Sequence, residues 1–354
     1  MQEIAMTENR MGAFDNLRLV LAIVVTVAHL NELQGIESRI FPSLAAVSAF
    51  FCLAGFFCFR SYRSCVKNGG GLRSYAIKRF FRIYPAYATV VVVPAAVWAL
   101  MRGPSSEEAR YLIANLATLN FLHPCIGSLF SGQRYCTVNG SLWTIKNELV
   151  LYGSIPIFFW LLTSTTARAR ILAASAIFVG ASTYFYVTNH GGYTTLAKQF
   201  PSGLAYFLAG SIMAWRNESP RLLRLIEAST PASLVAIIAI SIVGCTHPDL
   251  MMLPVVGPLC VAWAAVRLGQ FPMRLRPKHD LSYTLYLCHF PVIQFFLSRY
   301  HDLNAYESGA AVFVSFVLAY CLTRVVEVPG MKIGQHLSRL TLPMRPVIAP
   351  SASR

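Results

Sequence analysis

Charge is the property that this sequence has least of. Only 13% of its 354 residues are charged, against about 25% in a typical soluble domain. No long polar segment remains for a soluble catalytic domain. Apolar residues make up 55% and the mean hydropathy is +0.53, with several apolar windows near the ~20 residues that cross a bilayer. The composition therefore excludes an ordinary soluble enzyme and predicts an all-α fold, a polytopic transmembrane helical bundle.

Three further absences narrow the class of protein. The nine cysteines form no CxxC pair and no Cys/His spacing suited to zinc, so no metal site is expected. No internal repeat is visible, which argues against a transporter built from two repeats. The N-terminal residues contain no small-residue cleavage site, so we expect them to stay on the mature chain.

The apolar runs predict about ten membrane spans. They lie near 14–33, 41–59, 83–101, 142–162, 171–188, 200–215, 231–246, 250–266, 281–298 and 309–328. With the N-terminus in the cytoplasm, most of the 30 Lys and Arg fall on that side, as the positive-inside rule requires. Both termini are then cytoplasmic. The net charge of +15 is therefore explained by topology and not by a nucleic-acid partner.

One integral membrane domain accounts for nearly all of the chain. It covers 14–328, preceded by a cytoplasmic segment, 1–13, and followed by a cytoplasmic tail, 329–354. The lipid bilayer is therefore the first predicted partner. The oligomeric state is left open by the sequence.

The outer loop 102–141 contains two features of its own. Its apolar stretch 111–122 is too short to cross the bilayer, which predicts an interfacial or re-entrant helix. Cys125 and Cys136 lie in the same loop, where an oxidising compartment would let them join. Two free thiols are the alternative.

Arg18 and His29 are the first candidates for chemistry. Eleven residues along a helix correspond to about 20° around the axis and ~16 Å along it, so both side chains share one face. The residues between them are apolar except for one threonine. A central arginine costs roughly 2.5–3.5 kcal/mol in a bilayer, which Asp15 would lessen by pairing across one turn. His29, with an ordinary pKa of ~6.5, suits a general base.

A second group of candidates lies in the predicted inner loop 60–82, which has seven basic residues and no acid. Lys78, Arg79 and Arg82 lie at its end, where the third span begins. Paired guanidiniums suit a phosphorylated ligand that arrives from the cytoplasm. A patch for lipid headgroups is the alternative.

Three later positions carry charge or imidazole within spans. Glu148 lies about two turns into the fourth span, where it would orient a histidine on a neighbouring helix or form a structural ion pair. His289 precedes Pro291 in another span. Arg324 and Glu327 are spaced for a local ion pair. We expect structural roles for His289 and for the Arg324–Glu327 pair.

Taken together and in order, five segments resemble the acyltransferase-3 family, integral membrane O-acyltransferases that modify sugars and related hydroxyl compounds. The segments are the helix from Arg18 to His29, Phe50 to Phe56, Arg79 to Tyr87, Trp143 to Tyr152, and Ser282 to Pro291. The second carries no chemistry, and Gly55 within it is expected to permit close helix packing.

The resemblance implies transfer of an acyl group from cytoplasmic acyl-CoA, acetyl-CoA in particular. The acceptor would be a hydroxyl of a sugar, polysaccharide or glycolipid at the outer side of a bacterial inner membrane. His29 matches the family's essential histidine, Arg18 its helix partner, and Glu148 the acidic residue of the segment that Trp143 opens. Thr144 stands where the family pattern has serine, which bears on the acceptor site.

For the donor, the resemblance assigns Arg79 and Arg82 to the CoA side. Lys78 and Tyr84 lie beside this pair and belong to the same predicted site. The rival interpretation is a secondary transporter, in which the charges within spans form a path for substrate or protons.

Overall fold

A computed structural model describes residues 2–36, 43–216, 255–270 and 279–342, with the side chains of the first helix described from Ala13 onward. Every regular element in these ranges is helical, so the predicted all-α class is confirmed. The helices are α1 (Gln2–Leu33), α2 (Ser43–Lys67), α3 (Gly71–Arg102), α4 (Ser106–Leu116), α5 (Trp143–Ser164), α6 (Ala167–His190), α7 (Thr194–Ala197), α8 (Pro201–Arg216), α9 (Val256–Gln270), α10 (Ser282–Tyr300), α11 (Ala305–Leu322) and α12 (Val328–Leu340). A 3-10 turn, Gly140–Leu142, precedes α5, and a π-helical turn, Thr323–Glu327, joins α11 to α12.

Six helical segments of the described chain are long and apolar enough to cross a membrane. They are Ala13–Leu33, Ser43–Lys67, Gly71–Arg102, Gly140–Ser164, Ala167–His190 and Ala305–Leu340. α8 and α9 are shorter, with 16 and 15 residues. The predicted span near 231–246 and the first part of 250–266 lie outside the described residues. The count of ten spans and the cytoplasmic placement of both termini remain predictions.

Local capping explains where α4 begins. The side chain of Ser105 accepts a hydrogen bond from the backbone N–H of Glu107, and the Glu108 carboxylate accepts one from the backbone N–H of Ser105 at 2.8 Å. These bonds satisfy donors that the first turn leaves unpaired. The short helix expected at 111–122 therefore lies earlier, at Ser106–Leu116.

The predicted inner loop 60–82 is mostly helical. α2 continues to Lys67 and α3 begins at Gly71, so only a short glycine turn separates them. Gly69 has a φ of 79°, which glycine adopts without strain. The basic residues therefore lie on the ends of two long helices, where their positions are fixed, and not in a flexible loop.

The predicted cytoplasmic tail, 329–354, begins as helix α12, which packs against α3. A Cβ at Gly334 would lie 2.6 Å from the Cβ of Phe81, so the two helices approach at a residue without a side chain. Residues 343–354 lie outside the described chain.

The core of the bundle is a close crossing of α2 and α8. A Cβ at Gly55 would overlap the backbone carbonyl of Phe207, and one at Gly210 would overlap the carbonyl of Cys52. Each helix thus presents a glycine to the backbone of the other, as small residues do in membrane bundles. The expected role of Gly55 in close helix packing is confirmed.

Replacing Gly55 with alanine should lower the melting temperature, because the rigid backbone of α8 cannot move away from the new methyl group. We expect a loss of at least about 2 kcal/mol of stability. Gly180→Ala is the matched control, since a Cβ there meets nothing within 4 Å. Thermal unfolding in detergent measures both, and equal melting temperatures for the two variants would contradict the close crossing.

Candidate active site

A cavity of about 470 Å³ lies between α1, α2, α3, α5, α10 and α12. α2 supplies an apolar wall, formed by Val47, Phe50, Phe51, Leu53, Ala54 and Phe57. The ionisable side chains that line the cavity are Asp15, Arg18, Lys78, Arg79, Arg82 and Glu148. Six of the ten site residues expected from the sequence are thus brought together, and they meet an apolar surface.

Asp280, which immediately precedes α10, neutralises two of the cavity's arginines. Its Oδ2 accepts hydrogen bonds from Nη1 of Arg18 and, at 3.2 Å, from Nη2 of Arg82. Burial would raise the pKa of Asp280, but the two guanidiniums outweigh it and hold the pKa below its ordinary value. The ion-pair partner of Arg18 is therefore Asp280, and not Asp15 as the one-turn spacing suggested.

Arg82 has a second acidic partner in Glu327, at the end of the π-helical turn, which bonds Nη1. The expected local pair between Arg324 and Glu327 is wrong in the described structure, because Glu327 turns into the bundle. Arg324 instead contacts Nε2 of His279 at 2.7 Å. Arg82 is thus bonded by two carboxylates, and it connects α3 to the start of α10 and to the π-helical turn.

Arg79 differs from its two neighbours because no carboxylate of the described residues lies within ion-pair distance of it. Its guanidinium carbon lies 5.6 Å from the ring centre of Tyr75 and 5.7 Å from that of Tyr152. Its Nε is buried without a hydrogen-bond partner. A cation held between aromatic rings, with no carboxylate among the described residues to neutralise it, is suited to an anionic ligand.

Glu148 lies among these arginines and not beside a histidine. Its Oε2 accepts a hydrogen bond from the hydroxyl of Tyr152 at 3.0 Å. No contact between Glu148 and His29 occurs within the ranges that the structure describes. The expectation that Glu148 orients a histidine is therefore not supported by the geometry.

Three other expected site residues take different positions. Lys78 lines the cavity, and its Nζ lies 3.6 Å from Sγ of Cys65. Tyr84 faces α4, since its hydroxyl donates to the carbonyl of Leu116 at 3.1 Å and it does not line the cavity. Trp143 opens α5 and packs against the main apolar core.

His29 and His289 contact each other at some distance from the arginines. Nδ1 of His29 lies 2.7 Å from Nε2 of His289, and the two rings are nearly parallel, at 10°. Neither ring lines the cavity. The Arg18–Asp280 and His29–His289 contacts follow the same order along the two segments, so α1 and α10 run parallel. The segment that begins at Asp280 and continues as α10 provides a partner for both Arg18 and His29.

Tyr286 separates the two groups of ionisable residues. Its ring lines the cavity and lies 5.9 Å from the ring of His289 and 6.0 Å from that of Phe50. Its hydroxyl lies 2.9 Å from Oγ1 of Thr144. The threonine that departs from the family pattern thus supplies a hydroxyl that holds this tyrosine in place.

Sequence reasoning missed Asp280. The available signal was local, since Asp280 accepts hydrogen bonds from the first residue of α10, from the backbone N–H of Ser282 at 3.0 Å and from its hydroxyl at 2.5 Å. Asp280 lies directly before the predicted span 281–298, and aspartate is common at the start of a helix. That role alone does not reveal that the second carboxylate oxygen reaches α1 and α3.

The fold and the cavity define the class as an integral membrane helical protein with a buried ionisable site. Residues 11–324 match the acyltransferase domain of the acyltransferase-3 family, and the chain belongs to this family. The protein is therefore a membrane acyltransferase, and the transporter interpretation has no support. No curated protein and no solved structure matches the chain. In the described ranges, no three His, Cys, Asp or Glu side chains are grouped to hold a metal ion.

Replacing Asp280 with asparagine should destabilise the protein, because it leaves Arg18 without its carboxylate and Arg82 with only one. Breaking such a buried pair costs on the order of 3 kcal/mol. The matched control is Asp302→Asn, at an exposed position just beyond the end of α10. Thermal unfolding in detergent should separate the two variants, and an unchanged melting temperature for Asp280→Asn would contradict the bridging role.

Proposed function

We propose that this protein transfers an acyl group, acetyl in particular, from cytoplasmic acyl-CoA to a hydroxyl of a sugar, polysaccharide or glycolipid at the outer side of the bacterial inner membrane. The proposal joins the family's activity to two separated sites. One is a cation-lined cavity, and the other is a histidine pair further along α1.

The observation that carries the donor assignment is the state of Arg79. Arg18 and Arg82 are neutralised by Asp280 and Glu327, whereas Arg79 lines the cavity and has no carboxylate partner among the described residues. Phosphate groups are good acceptors for such a guanidinium. The apolar wall from α2 suits the less polar part of the same donor.

His29 is the proposed general base. Its Nε2 removes the proton of the acceptor hydroxyl while the oxygen attacks the carbonyl carbon of the thioester. The carbon–sulfur bond then breaks, and the proton passes to the leaving thiolate, so that the products are the ester and free CoA. General bases of this kind contribute typically 10²- to 10⁴-fold to the rate, as an order of magnitude.

Along α1, Arg18 and His29 are ~16 Å apart by the helical rise. A donor with an anionic head and a reactive end far from it fits this separation. The reactive end must pass Tyr286, which lines the cavity and contacts His289, with Phe50 packed against its ring on the cavity wall. Aromatic rings at this point suit a small acyl group such as acetyl.

The direct test supplies purified protein in lipid vesicles with labelled acetyl-CoA and candidate glycans. We expect label in the glycan and release of free CoA, with kcat lowered by about 10²- to 10⁴-fold in His29→Ala. His190→Ala, at an exposed histidine on α6, is the control. Normal melting of His29→Ala shows that the fold is intact. Movement of a glycan across the membrane without release of CoA would refute the proposal.

Replacing Arg79 with glutamine should raise KM for acetyl-CoA and leave folding intact. Loss of a charged hydrogen bond of about 1.5–3 kcal/mol corresponds to roughly a 10- to 100-fold increase. Arg73→Gln removes the same charge at an exposed position on the same helix and serves as the control. Steady-state kinetics at varied donor concentration measures both. Equal KM values for the two variants would exclude Arg79 from the donor site.

A further inference from the structure

The contact between His29 and His289 has the geometry of a hydrogen bond between two ring edges. The ring centres are 5.0 Å apart while the two nitrogens are only 2.7 Å apart, and the planes differ by 10°. The nitrogens therefore meet edge to edge and the rings do not lie face to face. An N–H in the plane of one ring points at the lone pair of the other, which is the favourable arrangement.

The direction of this hydrogen bond follows from the second nitrogen of His289. Its Nδ1 lies 3.0 Å from the carbonyl oxygen of Leu285, which can only accept, so the Nδ1 of His289 carries a hydrogen. The Nε2 of a neutral His289 is then an acceptor, and Nδ1 of His29 must donate to it. The Nε2 of His29 consequently keeps its lone pair, as a base requires.

The two imidazole rings differ in burial, and the difference agrees with this assignment of their hydrogens. His289 is fully buried, with 0% of its surface exposed, whereas His29 is partly exposed. Within the described chain, Nε2 of His29 has no hydrogen-bond partner. His29, whose Nε2 has the free lone pair, is accessible, whereas His289, which accepts its hydrogen bond, is not.

α10 is anchored at the position of His289 by the outer loop. Pro291 has no N–H, so the carbonyl of Leu287 lacks its helical donor, and Nδ2 of Asn139 bonds that carbonyl at 2.8 Å. A Cβ at Gly140 would lie 2.6 Å from the ring of Phe290, so the loop packs directly on this turn.

A second anchor lies one turn further along α10. The buried amide of Gln294 donates to the carbonyls of Tyr135 and Thr137, at 2.7 and 3.0 Å. These residues flank Cys136, which is joined to Cys125 by a disulfide. The loop and α10 therefore form one unit around the histidine pair.

We infer that His289 is a positioning residue for the acyl transfer, which holds His29 in the tautomer and orientation that leave Nε2 free to accept the proton of the hydroxyl. His289 does not touch the reactants. Its neutral Nε2 also stabilises the imidazolium that forms on His29 during the reaction. This inference rests on the proposed function.

Two substitutions separate the two hydrogen bonds of His289. Glutamine places an amide group near the position of Nε2 and can still accept from His29, whereas the shorter asparagine places its amide near Nδ1 and keeps only the contact to Leu285. We expect His289→Asn to lower kcat by about 100-fold with an unchanged KM for acetyl-CoA, because Arg79 is remote. We expect His289→Gln to stay within about 10-fold of the wild-type kcat.

Nitrogen-15 NMR of histidine-labelled protein in lipid provides a readout that does not need turnover. The ring signals of His29 are assigned by their loss in His29→Ala. The inference predicts a hydrogen on Nδ1 of His29 in the wild type and in His289→Gln, and a mixture of tautomers in His289→Asn. His190→Asn is the matched control, which should change neither kcat nor the His29 signals.

The outcomes distinguish this inference from the proposed function. Suppose that His29→Ala abolishes transfer. If the asparagine and glutamine variants of His289 then have equal kcat, or if the asparagine variant keeps the wild-type kcat, the positioning role is wrong and the proposed function stands. If the wild type transfers no acyl group, the proposed function fails. The NMR tautomers then decide the hydrogen-bond assignment alone, and a hydrogen on Nε2 of His29 in the wild type overturns it.

Discussion

Ionisable side chains on an apolar helix need partners, and in this protein the partners of Arg18 and His29 come from α10 and the residue that precedes it, Asp280. Arg18 bonds Asp280 at one end of the parallel pair, and His29 bonds His289 at the other. Without these contacts, the arginine alone would cost roughly 2.5–3.5 kcal/mol at the centre of a bilayer. The same contacts fix the register of the two helices, because a shift along the axis would break both at once. The positions of the cavity and of the histidine pair depend on this register.

The arginines of the cavity are not all paired with carboxylates, and this difference gives the site one end that favours an anion. Asp280 and Glu327 neutralise Arg18 and Arg82 and join α1, α3 and α10, so these charges serve the structure. Arg79 is left between two tyrosine rings, with no carboxylate partner among the described residues. An anionic group is therefore favoured at one end of the site, while the histidine pair with the proposed base lies at the other, beyond Tyr286. The proposed donor has an anionic end and a separate reactive end, one for each of these two places.

The sequence reasoning succeeded where a residue's role follows from its own helix. The shared face of Arg18 and His29, the small residue Gly55 and the apolar character of the spans depend only on helical period and composition. It failed where a partner lies far along the chain. Spacing suggested that Asp15 would pair with Arg18 and Arg324 with Glu327, but one-turn spacing permits a pair without requiring it. Arg18 instead bonds Asp280, 262 positions away, and Glu327 bonds Arg82, 245 positions away.

Composition and helical period by themselves determined that this chain is an all-helical membrane protein and that an arginine and a histidine project from one face of its first helix, because both properties are local. The order of five short segments was enough to identify the family. Only the tertiary structure decided which arginine remains available to an anion and which histidine supports His29. Those choices depend on how α10 lies beside α1, and helix packing over such distances is set by the sum of many contacts that no single segment contains.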